Sequence, residues 1–75
     1  MTSTLAAPTI RIRLEDRGLD LAAGTTLAQL VDQLGHAPDA VSTAVDGQFV
    51  ARAQRAQRVL QSGETVLFFR PIVGG

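Results

Sequence analysis

Cysteine and lysine are missing from this 75-residue chain, histidine occurs once, and no apolar run reaches membrane-spanning length. Without cysteine there is neither a disulfide nor a thiolate-ligated cluster, and His36 alone cannot assemble a protein-made zinc site. The fold must therefore stand on packing, at a size where one core is only just sufficient. Without lysine, all seven basic residues being arginine, a modifier that grew chains on its own side chains is excluded, leaving only the N-terminal amine as an acceptor. Genomic codon bias toward arginine and alanine would give the same composition. Residues 1–9 carry no basic region followed by an apolar core, and a membrane helix would need about 18 apolar residues in a row. The expectation is a soluble, cytoplasmic, single-domain protein.

Formal net charge is zero, which argues against general nucleic-acid binding and against a polybasic membrane contact. The charge is unevenly spread. Residues 1–46 hold six acids against three arginines, whereas residues 47–75 hold four arginines (Arg52, Arg55, Arg58, Arg70) against Glu64 alone. A basic C-terminal half either steers toward an acidic partner or is ordinary solvated surface.

Residues 1–8 are small and polar with a closing proline, and read as a flexible leading segment. From Thr9 to Leu14 the pattern alternates, with Ile10, Ile12 and Leu14 on one face and Arg11 and Arg13 on the other, the signature of a half-buried strand. Glu15 to Gly18 supplies turn chemistry, and Leu19 and Leu21 resume the alternation, predicting a hairpin. The period then changes: Leu27, Leu30, Val31 and Leu34 form one apolar helical stripe. Thr26 with Gln29 matches a capping box, Thr25 being the alternative cap, and Gly35 suits the helix end. His36 falls in a loop with no acid or thiol nearby to make it a base or ligand.

Ser42–Val45 and Gln48–Val50 flank Asp46-Gly47, a favoured hairpin turn. Arg52, Arg55 and Arg58 recur every three residues in a segment suited to a short helical turn, with Val59 and Leu60 as anchors to the core. Thr65 to Arg70 reads as the last strand. One main helix between two hairpins, followed by a final strand, is the α+β order of a β-grasp domain over residues 9–70. Its last strand is expected beside the first, in parallel, at the centre of a mixed sheet with the helix packed on one face.

The chain then ends Pro71-Ile72-Val73-Gly74-Gly75. Pro71 cannot extend a strand ladder, so residues 71–75 are expected to leave the domain as a mobile tail, reaching about 17 Å when extended. Two glycines add no Cβ atoms and would thread a narrow channel. The terminal carboxylate is ionised and unreactive at neutral pH. Chemistry there needs activation by a partner, for which an acyl-adenylate made from ATP is the direct route. An inert, frayed terminus is the plainer alternative.

The final strand carries a second anomaly. If Val66 and Phe68 face the helix, Leu67 and Phe69 face away, and no sequence remains to cover them. They form a docking surface, or they are partly covered by the stems of Arg11 and Arg13.

Residues 43–52 (Thr-Ala-Val-Asp-Gly-Gln-Phe-Val-Ala-Arg), residues 59–66 (Val-Leu-Gln-Ser-Gly-Glu-Thr-Val), the ending Phe69 to Gly75, and Ala23 to Leu27 ahead of the helix together resemble the ThiS family. These are ubiquitin-like sulfur carriers of thiamine biosynthesis. Asp46 stands where that family often has asparagine, and Ala51 where proline is common.

The resemblance implies a non-enzymatic co-substrate, monomeric when free, with no bound cofactor and no metal. An E1-like adenylyltransferase of the ThiF type would use ATP to adenylate the Gly75 carboxylate. A sulfurtransferase or cysteine desulfurase would supply sulfur, carried as a C-terminal thiocarboxylate to thiazole synthase of the ThiG type. Ile72, Val73 and Gly74 would thread the active site, and Leu67, Phe69, Arg52 and Arg70 would dock the partners.

The small subunit of molybdopterin synthase is similar in tail and chemistry, and Phe68, Phe69 and Pro71 suit it, whereas Asp46 to Arg52 suits the thiazole pathway. A protein modifier conjugated through Gly75 and an interaction module with an inert tail are the remaining alternatives.

Overall fold

The computed structural model describes residues 8–70, so the leading segment before Pro8 and the whole 71–75 tail lie outside the described residues. Five strands and one α-helix follow in the order β1 (Thr9–Leu14), β2 (Arg17–Ala22), α1 (Leu27–Gln33), β3 (Ser42–Val45), β4 (Gln48–Val50) and β5 (Thr65–Phe69), with a 3₁₀ helix at Arg52–Gln57 between β4 and β5. The sheet order is β2-β1-β5-β3-β4. β1 and β5 lie parallel at its centre, with Leu14 opposite Val66, while the β1–β2, β3–β4 and β3–β5 pairs are antiparallel. This is the mixed β-grasp sheet anticipated from the element order. Pro8 is already tied in, its carbonyl accepting from the Ala23 N–H at 2.9 Å.

The alternation in β1 works as the pattern requires: Ile12 and Leu14 are buried, while Arg11 and Arg13 are exposed. They join Leu21, Leu27, Leu30, Val45, Val50, Leu60 and Val66 in one cluster between the sheet and α1. At seven residues α1 is too short to persist alone, and burial of Leu27, Leu30 and Val31 holds it. Its start is closed by the full capping box. The Gln29 N–H donates to Thr26 Oγ1 at 3.2 Å, and the Thr26 N–H donates to Gln29 Oε1 at 2.9 Å. Thr25, the alternative cap, instead donates its hydroxyl to the Ala22 carbonyl at 2.6 Å.

Two local expectations change. The first hairpin turns on Glu15 and Asp16 alone, with Glu15 at φ 58, and Arg17 and Gly18 belong to β2. Gly18 serves the strand rather than the turn: a Cβ there would come within 2.8 Å of the Arg11 side chain folded over it. Of the two expected anchors after the 3₁₀ helix, only Leu60 enters the core, and Val59 is left 40% exposed. Residues 59 and 60 run extended beside the helix start, where Val59 bridges Thr26 and the Leu60 N–H donates to the Thr25 carbonyl, so consecutive side chains point opposite ways.

The second hairpin turns on Asp46 (φ 51) and Gly47 (φ 83), a left-handed pair that aspartate, like asparagine, tolerates. Asp46 also reaches across to the next strand, its Oδ1 accepting from the Thr65 N–H at 2.8 Å. The family's usual asparagine could make the same bond. Ala51 sits at φ −64, ψ 149, the dihedral angles proline prefers, and among the described residues its N–H donates no backbone hydrogen bond. Ala51→Pro is therefore expected to raise unfolding stability by about 0.5–1 kcal/mol through the unfolded chain. A lowered denaturation midpoint would show that the loop needs freedom here.

Candidate functional site: the end of β5 and the outer sheet face

Beyond Val66, β5 loses β1 and keeps only β3 as a neighbour. Leu67 pairs with Ala44, Phe68 with Thr43 and Phe69 with Ser42. The strand therefore runs out past the end of its central partner and delivers Arg70 to the rim of an open cleft of about 640 Å³. Leu14, Phe68 and Phe69 contribute to its apolar lining, with Glu15, Arg17 and His36 among its polar residues. His36 is exposed, as expected, and its ring stands edge-on to Phe68 with centroids 5.4 Å apart. Any chain continuing from Arg70 starts at this end of the sheet.

Period-two geometry also sets the outer face. Val66 is fully buried against the helix side, whereas Leu67 and Phe69 remain 41% and 46% exposed on the opposite side. Arg11 does not cover them. It leans toward β2, pairing with Asp20 at 3.3 Å and lying over Gly18. The register adds a residue that sequence reasoning passed over: Phe49 of β4 faces Ala44 of β3, which in turn faces Leu67 of β5. Ala44 is the low floor of this row, and Phe49, at 66% exposed, is its most prominent side chain. Its orientation follows from Val50 pointing inward, a signal the alternation of Gln48-Phe49-Val50 already contained.

The four expected docking residues do not form one group. Leu67 and Phe69 share the outer face, and Arg70 is exposed beside them at the strand end. Arg52 is elsewhere. It is exposed on the 3₁₀ helix and lines a small cavity of about 90 Å³ with Ala28, Val31 and Asp32 of α1 and with Arg55, on the helix side of the sheet. Ile72, Val73, Gly74 and Gly75 lie outside the described residues.

Sequence reasoning also gave no hint of Arg55. Threefold spacing aligns Arg52, Arg55 and Arg58 on a 3₁₀ helix, yet their environments differ. Arg52 is exposed, and Arg58 pairs with Glu64 at 2.7 Å. Arg55 is 4% exposed. Its Nε donates to Thr43 Oγ1 at 3.1 Å, Nη1 to the Pro38 carbonyl at 2.8 Å and Nη2 to the Val41 carbonyl at 2.6 Å. The Thr43 hydroxyl passes the bond on to the Val50 carbonyl at 3.0 Å. No carboxylate forms an ion pair with Arg55 among the described residues. Burial, followed by repulsion from Arg52, lowers its pKa from the ordinary arginine value. No group of histidines or acids able to hold a metal ion occurs among the described residues, and no helix there is long and apolar enough to cross a membrane.

A β-grasp domain of this size, with a central strand aimed out of the sheet and an apolar row beside it, belongs to the class of small ubiquitin-like proteins. The particular family follows from comparison: the ThiS family model matches residues 6–75. The chain is 35% identical over 66 residues to the sulfur carrier protein ThiS of Escherichia coli (strain K12), an alignment spanning 88% of this chain and all of that protein. Its fold is similar to the crystal structure of the thiamine biosynthesis protein ThiS from Geobacter metallireducens, with a TM-score of 0.77 at 16% identity, again over 88% of this chain and all of the other. The chain belongs to the ThiS family.

Proposed function

We propose that the protein is a sulfur carrier of thiamine biosynthesis whose working group is the Gly75 carboxylate. The observation that carries this reading is the pairing of family membership over residues 6–75 with a β5 strand that projects its C-terminal end past the sheet centre. In this reading the folded body is a handle and its partners perform the catalysis.

The chemistry runs in balanced steps. An E1-like adenylyltransferase joins the Gly75 carboxylate to the α-phosphorus of ATP, releasing pyrophosphate and making the acyl carbon electrophilic. The terminal sulfur of a persulfide on a sulfur donor, a sulfurtransferase or a desulfurase, attacks that carbon, AMP leaves, and an acyl disulfide links the two proteins. A second thiol then attacks the donor's sulfur, forming a donor disulfide and releasing the thiocarboxylate with both electrons of the broken S–S bond. The thiocarboxylate sulfur, softer and more nucleophilic than a carboxylate oxygen, passes to thiazole synthase. The chain contains no thiol, so sulfur it carries covalently resides at its end. The proposed cycle consumes ATP and uses free thiols, which fits a cytoplasmic protein.

Docking of the activating enzyme falls to Phe49, Leu67 and Phe69, with Arg70 guiding the tail and Ile72, Val73 and Gly74 passing through the channel. Intact-mass measurement after incubation with such an activating enzyme, ATP and a persulfide donor tests the reading. The expected product has one oxygen replaced by sulfur, and an unchanged mass with every component present would contradict it.

A further inference from the structure

This inference rests on the carrier reading above, in which the domain meets both an activating enzyme and a sulfur donor. When AMP is displaced from the acyl-adenylate, the activating enzyme still holds the adenylate while a second protein brings the persulfide sulfur. Two bodies then converge on one small domain, and a donor that grips the domain directly needs a face the activating enzyme leaves free. The sheet face offers one grip, and the helix side offers the other.

We infer that the cavity between α1 and the 3₁₀ helix, with Arg52 at its mouth, is a second docking surface that takes an acidic segment of the sulfur-donating protein. Val31 is buried yet stands apart from the main core cluster, and with Ala28 and Ala56 it helps line a cavity of about 90 Å³, the scale of one aliphatic side chain. Arg55 lies behind it, a buried cation with neutral acceptors only, and Arg52 is close enough to raise the positive potential further. Asp32 is the single acid of the lining and makes no ion pair with either arginine among the described residues. The pocket is thus net positive with an apolar interior. It fits an aliphatic side chain flanked by a carboxylate, the latter directed at Arg52. Because α1 covers the inner face of the sheet, a partner here leaves Phe49, Leu67 and Phe69 free for the activating enzyme.

The two half-reactions separate the surfaces. ATP–pyrophosphate exchange reports adenylation alone, and the rate of thiocarboxylate formation against donor concentration reports the second encounter. Ala56→Leu, which fills the cavity from an exposed position, should leave exchange unchanged and raise the donor concentration for half-maximal rate about tenfold. Arg52→Glu should raise that concentration at least as much, and Asp32→Asn should lower it, a gain that mere loss of structure could not produce. Melting curves of all three should overlay that of the parent. An unchanged donor dependence in both Ala56→Leu and Arg52→Glu overturns the inference, as does an equal effect of Ala56→Leu on exchange. A parent protein that supports no exchange at all is a separate failure, which removes the carrier reading and this inference with it.

Discussion

Arg55→Ala is expected to destabilise the domain by about 3 kcal/mol, a large share of the roughly 5–15 kcal/mol by which folded proteins are stable. Removing the guanidinium strands the buried carbonyl of Val41, takes the partner from the part-buried carbonyl of Pro38, and leaves the Thr43 hydroxyl with only its bond to the Val50 carbonyl. A buried group left unpaired costs far more than the net worth of its hydrogen bond. Arg55→Lys should recover only part of this, because a single ammonium cannot span three acceptors in the geometry of a planar fork. Denaturant unfolding checks both variants. An Arg55→Ala midpoint within experimental error of the parent would show that the network contributes no net stability, as can happen when desolvation cancels attraction.

Phe69→Asp is expected to raise the carrier KM for adenylation at least tenfold while leaving the melting temperature unchanged, and Phe49→Asp should act in the same direction. Phe49 is mostly and Phe69 about half exposed on the outer face, and neither belongs to the core cluster, so neither substitution opens a core cavity. A charge placed in the middle of an apolar contact loses the buried area and adds a desolvation penalty, the pattern of an interface hot spot. The measurement is the carrier dependence of ATP–pyrophosphate exchange, with circular dichroism to verify the fold. Unchanged kinetics in both variants would assign docking to another surface.

The contrast between these two predictions follows what local pattern can and cannot carry. The outer face was legible because strand alternation is a local property: once Val66 and Val50 point inward, Leu67, Phe69 and Phe49 must point out. The same holds for α1, where the Leu27–Leu34 stripe and the Thr26 capping box are written within nine residues. Asp46-Gly47 announced its hairpin for the same reason. Arg55 was not legible. Its acceptors lie 12 to 17 residues away in sequence, and no periodicity in the Ala- and Gln-rich segment distinguishes it from Arg52 or Arg58. Arg52 shows the same limit from the other side: its position on the helix side of the sheet, away from Leu67 and Phe69, depends on how the 3₁₀ helix packs on α1. The proposal of a reactive end rests on chemistry rather than conformation, on a glycine pair following a strand and a proline, and residues 71–75 lie outside the described residues.

The central claim is that the chain terminus itself is the group transformed, and terminal variants test it most directly. The parent, a chain lacking Gly75 and a chain with one appended alanine are each incubated with the activating enzyme, ATP and a persulfide donor, then weighed intact and after digestion. The expected result is exchange of one oxygen for sulfur in the parent alone, located in its C-terminal peptide. Sulfur gained by either variant, or found in any other peptide of the parent, would contradict the account.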